Sequence, residues 1–470
     1  VAQSIAVVRG TLSADLNGTT DFTKSGFGTP SAAIIIAGEA NQTANPAQHA
    51  RLSVGFWDGT SDFAMGVFSQ DAVTTMNAIR GSAHGAGVLM TSGGASISAR
   101  YGVSTITDGI RLTMEVDNTA LARHCTVIMF SGISAKAGSL NMHVTQDSST
   151  ESGSIGFAPS LVFCTTISNA EDESQLDACI SFGFAASSGQ RTIAFGSAYG
   201  VGNEVANALF SESRCCGLAL NDVIQWTGEV TTFGSDTFTI TTRDGTTAAP
   251  EVYYLALGGG DLSFDFGTLN SRTTVGSDQI NTAINPDAII VALSTATGTS
   301  LETGSGANGF MVGAADDNGQ YAHNISVGDT LAAANSNSAS QNDRLIDLDT
   351  SVGNTRTDMV DATIVFNTTN FEIAYNLVNP TARKGWWVTL AGQALTYTQE
   401  AYRWRYDDGD EDGATFSTYQ DESGSASIGT TKRLRVIVNV AGNPGSPSAK
   451  QFELQYRKAG SPTDEWKKVT

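Results

Sequence analysis

The sequence predicts an all-β protein: three tandem β-sandwich repeats, jelly-roll-like, followed by a small C-terminal β-sandwich of immunoglobulin or fibronectin type. Three observations carry this reading. An apolar run that stops at a small residue and a glycine is written three times, as Cys125–Gly132, Val252–Gly259 and Gly385–Gly392. The glycines that end these runs stand 127 and then 133 residues apart. Fifty glycines among 470 residues, with abundant Ser, Thr, Asn and Val, disfavour helices and favour short strands joined by tight turns.

The first repeat is assigned to residues 1–136. It opens with the apolar run Ile5–Val8, turns through Asn17-Gly18 and passes Gly26-Phe27-Gly28-Thr29-Pro30 before the run Ala32–Ala37. Strands are expected at Leu52–Phe56, Ala64–Phe68, Val88–Met90, Tyr101–Ile106, Ile110–Val116 and the closing run. Seven or eight short strands in a unit of this length is the density of a sandwich or jelly roll.

The second repeat, 137–260, follows the same script: Gly156-Phe157-Ala158-Pro159 precedes Leu161–Cys164, Ile180–Phe184 stands where Leu52–Phe56 stood, and Phe238–Thr241 matches the Ile110 region. In the third, 261–394, Asn285-Pro286 precedes Ala288–Ala292, and Phe310–Ala314 takes the place of the earlier Gly-Phe strands. Several unlike landmarks keep one frame, so the units read as a triplication, each too long for a solenoid repeat and expected to own a core. Linkers are expected near 134–140, 258–262 and 392–397.

Glycine interrupts the middle strand of each unit, at Gly55, Gly183 and Gly313. Two readings apply: a bulge or close crossing of the other sheet, or a backbone approached by a ligand; the first is favoured.

The last segment, 395–470, changes character. Residues 396–470 hold 10 basic and 11 acidic side chains, so 20 of the 21 net negative charges lie on the repeated body. Tyr402–Tyr406, Arg433–Val440 and Gln451–Arg457 alternate in the manner of strands with one wet face, and Trp466 supplies a large apolar group for a small core.

A net charge of −21 without a Lys/Arg cluster argues against nucleic acid as partner. With no charged segment leading into an apolar core and no apolar run of spanning length, neither an export signal nor membrane insertion is expected. The five cysteines, Cys125, Cys164, Cys179, Cys215 and Cys216, are expected to be reduced structural thiols, with a Cys164–Cys179 bridge or a metal as the alternatives.

Chemical motifs are sparse. The chain lacks a Gly-x-Ser-x-Gly elbow, a Gly-Lys phosphate loop, a His-Glu-x-x-His and a Gly-x-Gly-x-x-Gly between strand and helix, and its five histidines share no recurring place in the frame. No catalytic residue and no cofactor are assigned. Asp408, Asp410 and Asp412 match the opening of a calcium loop, but Tyr419 stands where a bidentate glutamate belongs, so a solvated acidic turn competes with a Ca²⁺ site. Asp261 and Asp265 lie four apart on one strand face, a spacing without a supporting constellation. Trp386 and Trp387 are neighbours on the third closing strand; one belongs in the core, and the other is the candidate contact, half exposed, for a sugar ring or a protein partner.

With these landmarks in place, the chain resembles structural proteins of tailed bacteriophages and prophages, whose units open with Gly-Phe-x-Pro, carry a Gly-Phe strand and end in Tyr-Leu-Ala-Leu-Gly-Gly. The second repeat is the nearest to that pattern, with Gly156–Pro159, Phe182-Gly183-Phe184 and Tyr254–Gly259. The first carries one extra residue before Pro30, and the third has lost the Gly-Phe ahead of Pro286. Arg403-Trp404-Arg405-Tyr406-Asp407-Asp408-Gly409 is similar to the Arg-Trp-Arg-x-Asp-Asp-Gly module at the ends of phage and surface-associated proteins.

The resemblance implies a non-enzymatic virion component, either capsid decoration or part of a tail fibre or tail tip, assembled in the host cytoplasm. Other virion proteins and further copies of the chain are the expected partners, with a host-surface glycan as a further candidate. A carbohydrate-binding or carbohydrate-active surface protein is the alternative.

Overall fold

The computed structural model describes residues 4–39, 47–70, 78–92, 96–117, 123–168, 174–198, 206–220, 222–245, 250–259, 262–299, 301–303, 307–328, 335–352, 355–367, 370–392, 396–406, 419, 432–441, 455–456 and 467–468. Every regular element among them is a β-strand. Residues 2–394 form one compact body, and residues 395–470 belong to a second, smaller unit.

The body contains three sandwiches of one design. In the first, the larger sheet runs in the order Ser4–Leu12, Arg123–Ser131, Ala32–Glu39, Ala50–Trp57, Asp62–Ser69 and Ala78–His84. The smaller sheet runs Thr19–Thr23, Gly109–Asp117, Ser96–Ile106 and Val88–Ser92. All these pairings are antiparallel. The other two units repeat both orders, their closing strands Pro250–Gly258 and Lys384–Ala391 again lying inside the larger sheet.

That placement explains why the closing runs are apolar without alternation. Cys125, Val127 and Met129 point into the core between the two sheets of their own unit, while Ile128 and Phe130 point the other way. The other way is not solvent but a central core to which all three units contribute, including Phe56, Phe184 and Trp386. A strand buried on both faces needs apolar residues at consecutive positions. Each unit therefore owns an intersheet core, as expected, and also shares a second core with its neighbours.

The sharing extends to the backbone. Ser174–Leu176 of the second unit pairs with Ala78–His84 and adds a seventh strand to the first unit's larger sheet. Leu301–Thr303 of the third does the same on Ala206–Ser211 of the second, and Ala47–Gln48 of the first does so on Asn335–Gln341 of the third. Each unit gives one short strand and receives one, so the exchange closes on itself.

Gly55, Gly183 and Gly313 mark a close crossing of the two sheets in each unit. A Cβ there would lie 2.0, 2.2 and 1.9 Å from the carbonyl oxygens of Gly87, Cys215 and Leu345. The close crossing, not a ligand, accounts for these glycines. The Gly26-Phe27-Gly28 turn has a comparable local cause: both glycines adopt positive φ, and their N–H groups donate to the Asp108 carboxylate at 3.0 and 2.8 Å.

Two expectations change. Residues 134–140 are not a linker; they lie in the strand Ser134–Asn141, which opens the second unit. The strands Thr19–Thr23 and Ala78–His84 lie outside the predicted set, the first a polar edge strand and the second broken in pattern by Arg80 and Gly81. In the C-terminal unit, Thr396–Tyr406 pairs with Lys432–Ala441, and Gln455–Tyr456 with Lys467–Lys468.

Candidate functional site

The positions where chemistry differs most among the three units are the seams between them. The registers define equivalence: Val7, Ala137 and Phe266 share one position, opposite Ile128, Leu255 and Val388. Three residues after the crossing glycine, Asp58, Ala186 and Asp316 share another.

Between the first and second units, Asp58 reaches across the seam. Its Oδ2 accepts from Ala137 N at 3.1 Å and from Lys136 Nζ at 2.9 Å, while its Oδ1 accepts from Thr60 and Ser61 N. Burial alone would raise this carboxyl; Lys136 and the three backbone donors hold it below the usual carboxylate range. His84 Nε2 stands 3.2 Å from the buried Glu251, its ring edge-on to Phe63. Arg80 donates to the carbonyls of Leu176 and Asp177, at 2.6 and 2.9 Å, securing the received strand.

Between the third and first units the same latch recurs. Asp316 Oδ2 accepts from Val7 N at 3.1 Å and lies 3.8 Å from Lys24. Further along this seam His323 bridges Thr126 Oγ1 and Ser340 Oγ, both at 2.8 Å, and Ser69 meets Ser336 at 2.8 Å. Arg9 lies over the Tyr321 ring and donates to Ser340 O at 3.3 Å. A cleft of about 310 Å³, lined by Ser4, Ile5, Lys24, Asp287, Asp316 and Asp317 among others, opens at the edge of the seam. Burial raises the Asp287 carboxyl there.

Between the second and third units the latch is absent. Ala186 replaces the aspartate, and Phe266 occupies the position of Val7 and Ala137. Phe266 packs edge-on against Phe184 at 5.0 Å, and Trp386 meets Phe184 at 5.1 Å and Phe182 at 5.3 Å. The Trp386 indole donates to Phe182 O at 3.3 Å, which satisfies its one polar group inside the central core. Arg191 crosses to Thr268 Oγ1 at 3.1 Å.

The structure corrects the tryptophan expectation. Trp386 and Trp387 are 0% and 6% exposed. Their strand has a packed layer on each side, so alternation sends Trp386 into the shared core and Trp387 against Phe371 in the third unit's own core. Neither ring is placed to stack on a sugar. Asp408, Asp410, Asp412 and Asp261 lie outside the described residues; Asp265 Oδ2 accepts from Ala283 N at 2.9 Å. The five cysteines are buried and form no disulfide with one another, four of them in the second unit's intersheet core, where Cys215 and Cys216 sulfurs are 3.4 Å apart.

Sequence reasoning missed His49, His84 and His323 as seam residues. The signal was present in the frame: His323 stands where the other units carry Met65 and Ile193, a polar departure at a buried position. No protein-family model and no curated protein matches the chain.

Proposed function

We propose that this chain is a non-enzymatic structural protein displayed on a tailed-phage virion, as capsid decoration or as part of a tail fibre or tail tip, and that its body is a building block assembled within one chain. The observation that carries the reading is the closed exchange of strands around a shared core. What recurs in the three units is packing and punctuation: crossing glycines, closing strands and a received strand. What varies is seam chemistry. An architecture that commits three units to one another serves a part that must keep its shape under load, and other virion proteins are the partners such a part would meet.

The phage resemblance of the Gly-Phe-x-Pro and closing motifs supports the same reading, as does the acidic body, which disfavours nucleic-acid contact. The glycan-binding alternative named Trp386 and Trp387 as contacts, and both rings are buried. Peptide mass spectrometry of purified particles tests the proposal. The chain should be recovered at a fixed ratio to the major shell or tail protein; its absence from particles would overturn the reading.

A further inference from the structure

We infer that the seam between the third and first units is an acid-sensitive gate: protonation of His323 releases the strand Ala47–Gln48 from Asn335–Gln341 while the seam between the second and third units stays closed. The inference starts from equivalence. Opposite Val54, Phe182 and Val312 stand Met65, Ile193 and His323, so two seams use an apolar side chain where the third uses an imidazole.

His323 is 1% exposed and spans the seam, with Nε2 on Thr126 of the first unit and Nδ1 on Ser340 of the third. Gly38 leaves room for it: a Cβ there would lie 3.2 Å from His323 Nδ1 and 3.0 Å from Ser340 Oγ. The charged groups that act on the ring are Arg9 from the opening strand and His124 from the closing strand, both basic. Thr126 and Ser340 offer hydroxyls, and Gly38 offers no side chain. Tyr321 and Asp343 act on Arg9, not on His323. A proton on His323 is therefore buried beside the positive charge of Arg9.

Burial first, then Arg9 and His124, hold the imidazole well below its ordinary range, and burial with Arg9 holds His124 down to about 4. When the seam opens, water reaches His323 and it regains an ordinary pKa of about 6.5. The sign follows. The closed seam is fully favoured above that value, and its opening constant rises about tenfold for each pH unit below it, until the closed-state pKa is reached.

The element that gives way is the smallest in the seam. Ala47–Gln48 has two register partners, Ser338 and Asn337, reinforced by His49 N on Ser336 O at 2.8 Å and Ser338 Oγ on His49 O at 2.9 Å. Ser340, which holds the imidazole, lies on that same receiving strand.

Hydrogen exchange on the full chain tests this, with rates at pH 7.5 and 5.5 corrected for intrinsic pH dependence. The expected result is about tenfold loss of protection in residues 335–341 at the lower pH, with unchanged protection in Ala206–Ser211, the receiving strand of the seam between the second and third units. His323→Met, the residue type at the equivalent place in the first unit, should abolish the response. His323→Gln keeps polar contacts without a titrating group and should abolish it too, so the test stands if the methionine variant misfolds. Three seams loosening together, or a tenfold response surviving in either folded variant, would overturn the gate.

Discussion

The seam between the second and third units and the seam between the third and first rest on the same strand exchange, and each sets an arginine over an aromatic ring, but they differ at the latch and at the buried positions around it. At one pair of equivalent places, opposite Thr268 and Arg9, the former carries Trp386 and the latter Thr126. At another, Phe266 replaces Val7 and the latching aspartate is gone. The fold therefore demands closure and tolerates several ways of achieving it. The aromatic seam draws mainly on buried area; a seam of hydroxyls, imidazole and carboxylate depends on each partner being satisfied and on protonation state.

Truncation at the equivalent positions breaks this comparison most sharply. Trp386→Ala removes a fully buried indole from the shared core and should cost about 3–5 kcal/mol. Thr126→Ala removes a hydroxyl that holds His323 and should cost about 1 kcal/mol. Denaturant unfolding of the two variants beside the parent checks both figures, and equal losses would mean that the seams are not chemically distinct.

A smaller effect separates the carboxylate seams from the aromatic one. Asp58→Asn should destabilise by about 1–2 kcal/mol at neutral pH, because the Lys136 contact loses its charge and the Ala137 donor keeps a weaker acceptor. Since the native carboxyl is held below its unfolded value, its contribution is present above about pH 4 and fades as pH falls through the folded value. The variant's stability should therefore converge on the parent's in acid. A constant difference across pH 2–7 in chemical unfolding would show that Asp58 contributes through shape instead of charge.

Much of the fold was legible in the chain because its signals are long or repeated. Closing strands, crossing glycines and the middle strands announce themselves by apolar runs that recur in one frame. The exchanged strands were not legible: Ala47–Gln48, Ser174–Leu176 and Leu301–Thr303 are two or three residues long, too short to carry a period, and their partners lie in other units. The expectation that one of Trp386 and Trp387 is half exposed fails for a related reason. Alternation assigns faces of a strand, but only the tertiary structure tells that both faces of this sheet are covered. His323 was legible in principle, as the polar exception among Met65 and Ile193, once the frame was aligned at the crossing glycines.

The central claim is that one chain closes on itself by passing a strand from each unit to another. The most direct test joins the first and third units covalently where the register sets Gln48 opposite Asn337. The double variant Gln48→Cys with Asn337→Cys, oxidised under mild conditions, should give a disulfide-linked peptide pair by mass spectrometry in a protein that still migrates as a monomer. The native thiols are buried and should not compete. A failure to form the link, or a link found only between two chains, would contradict the closed exchange.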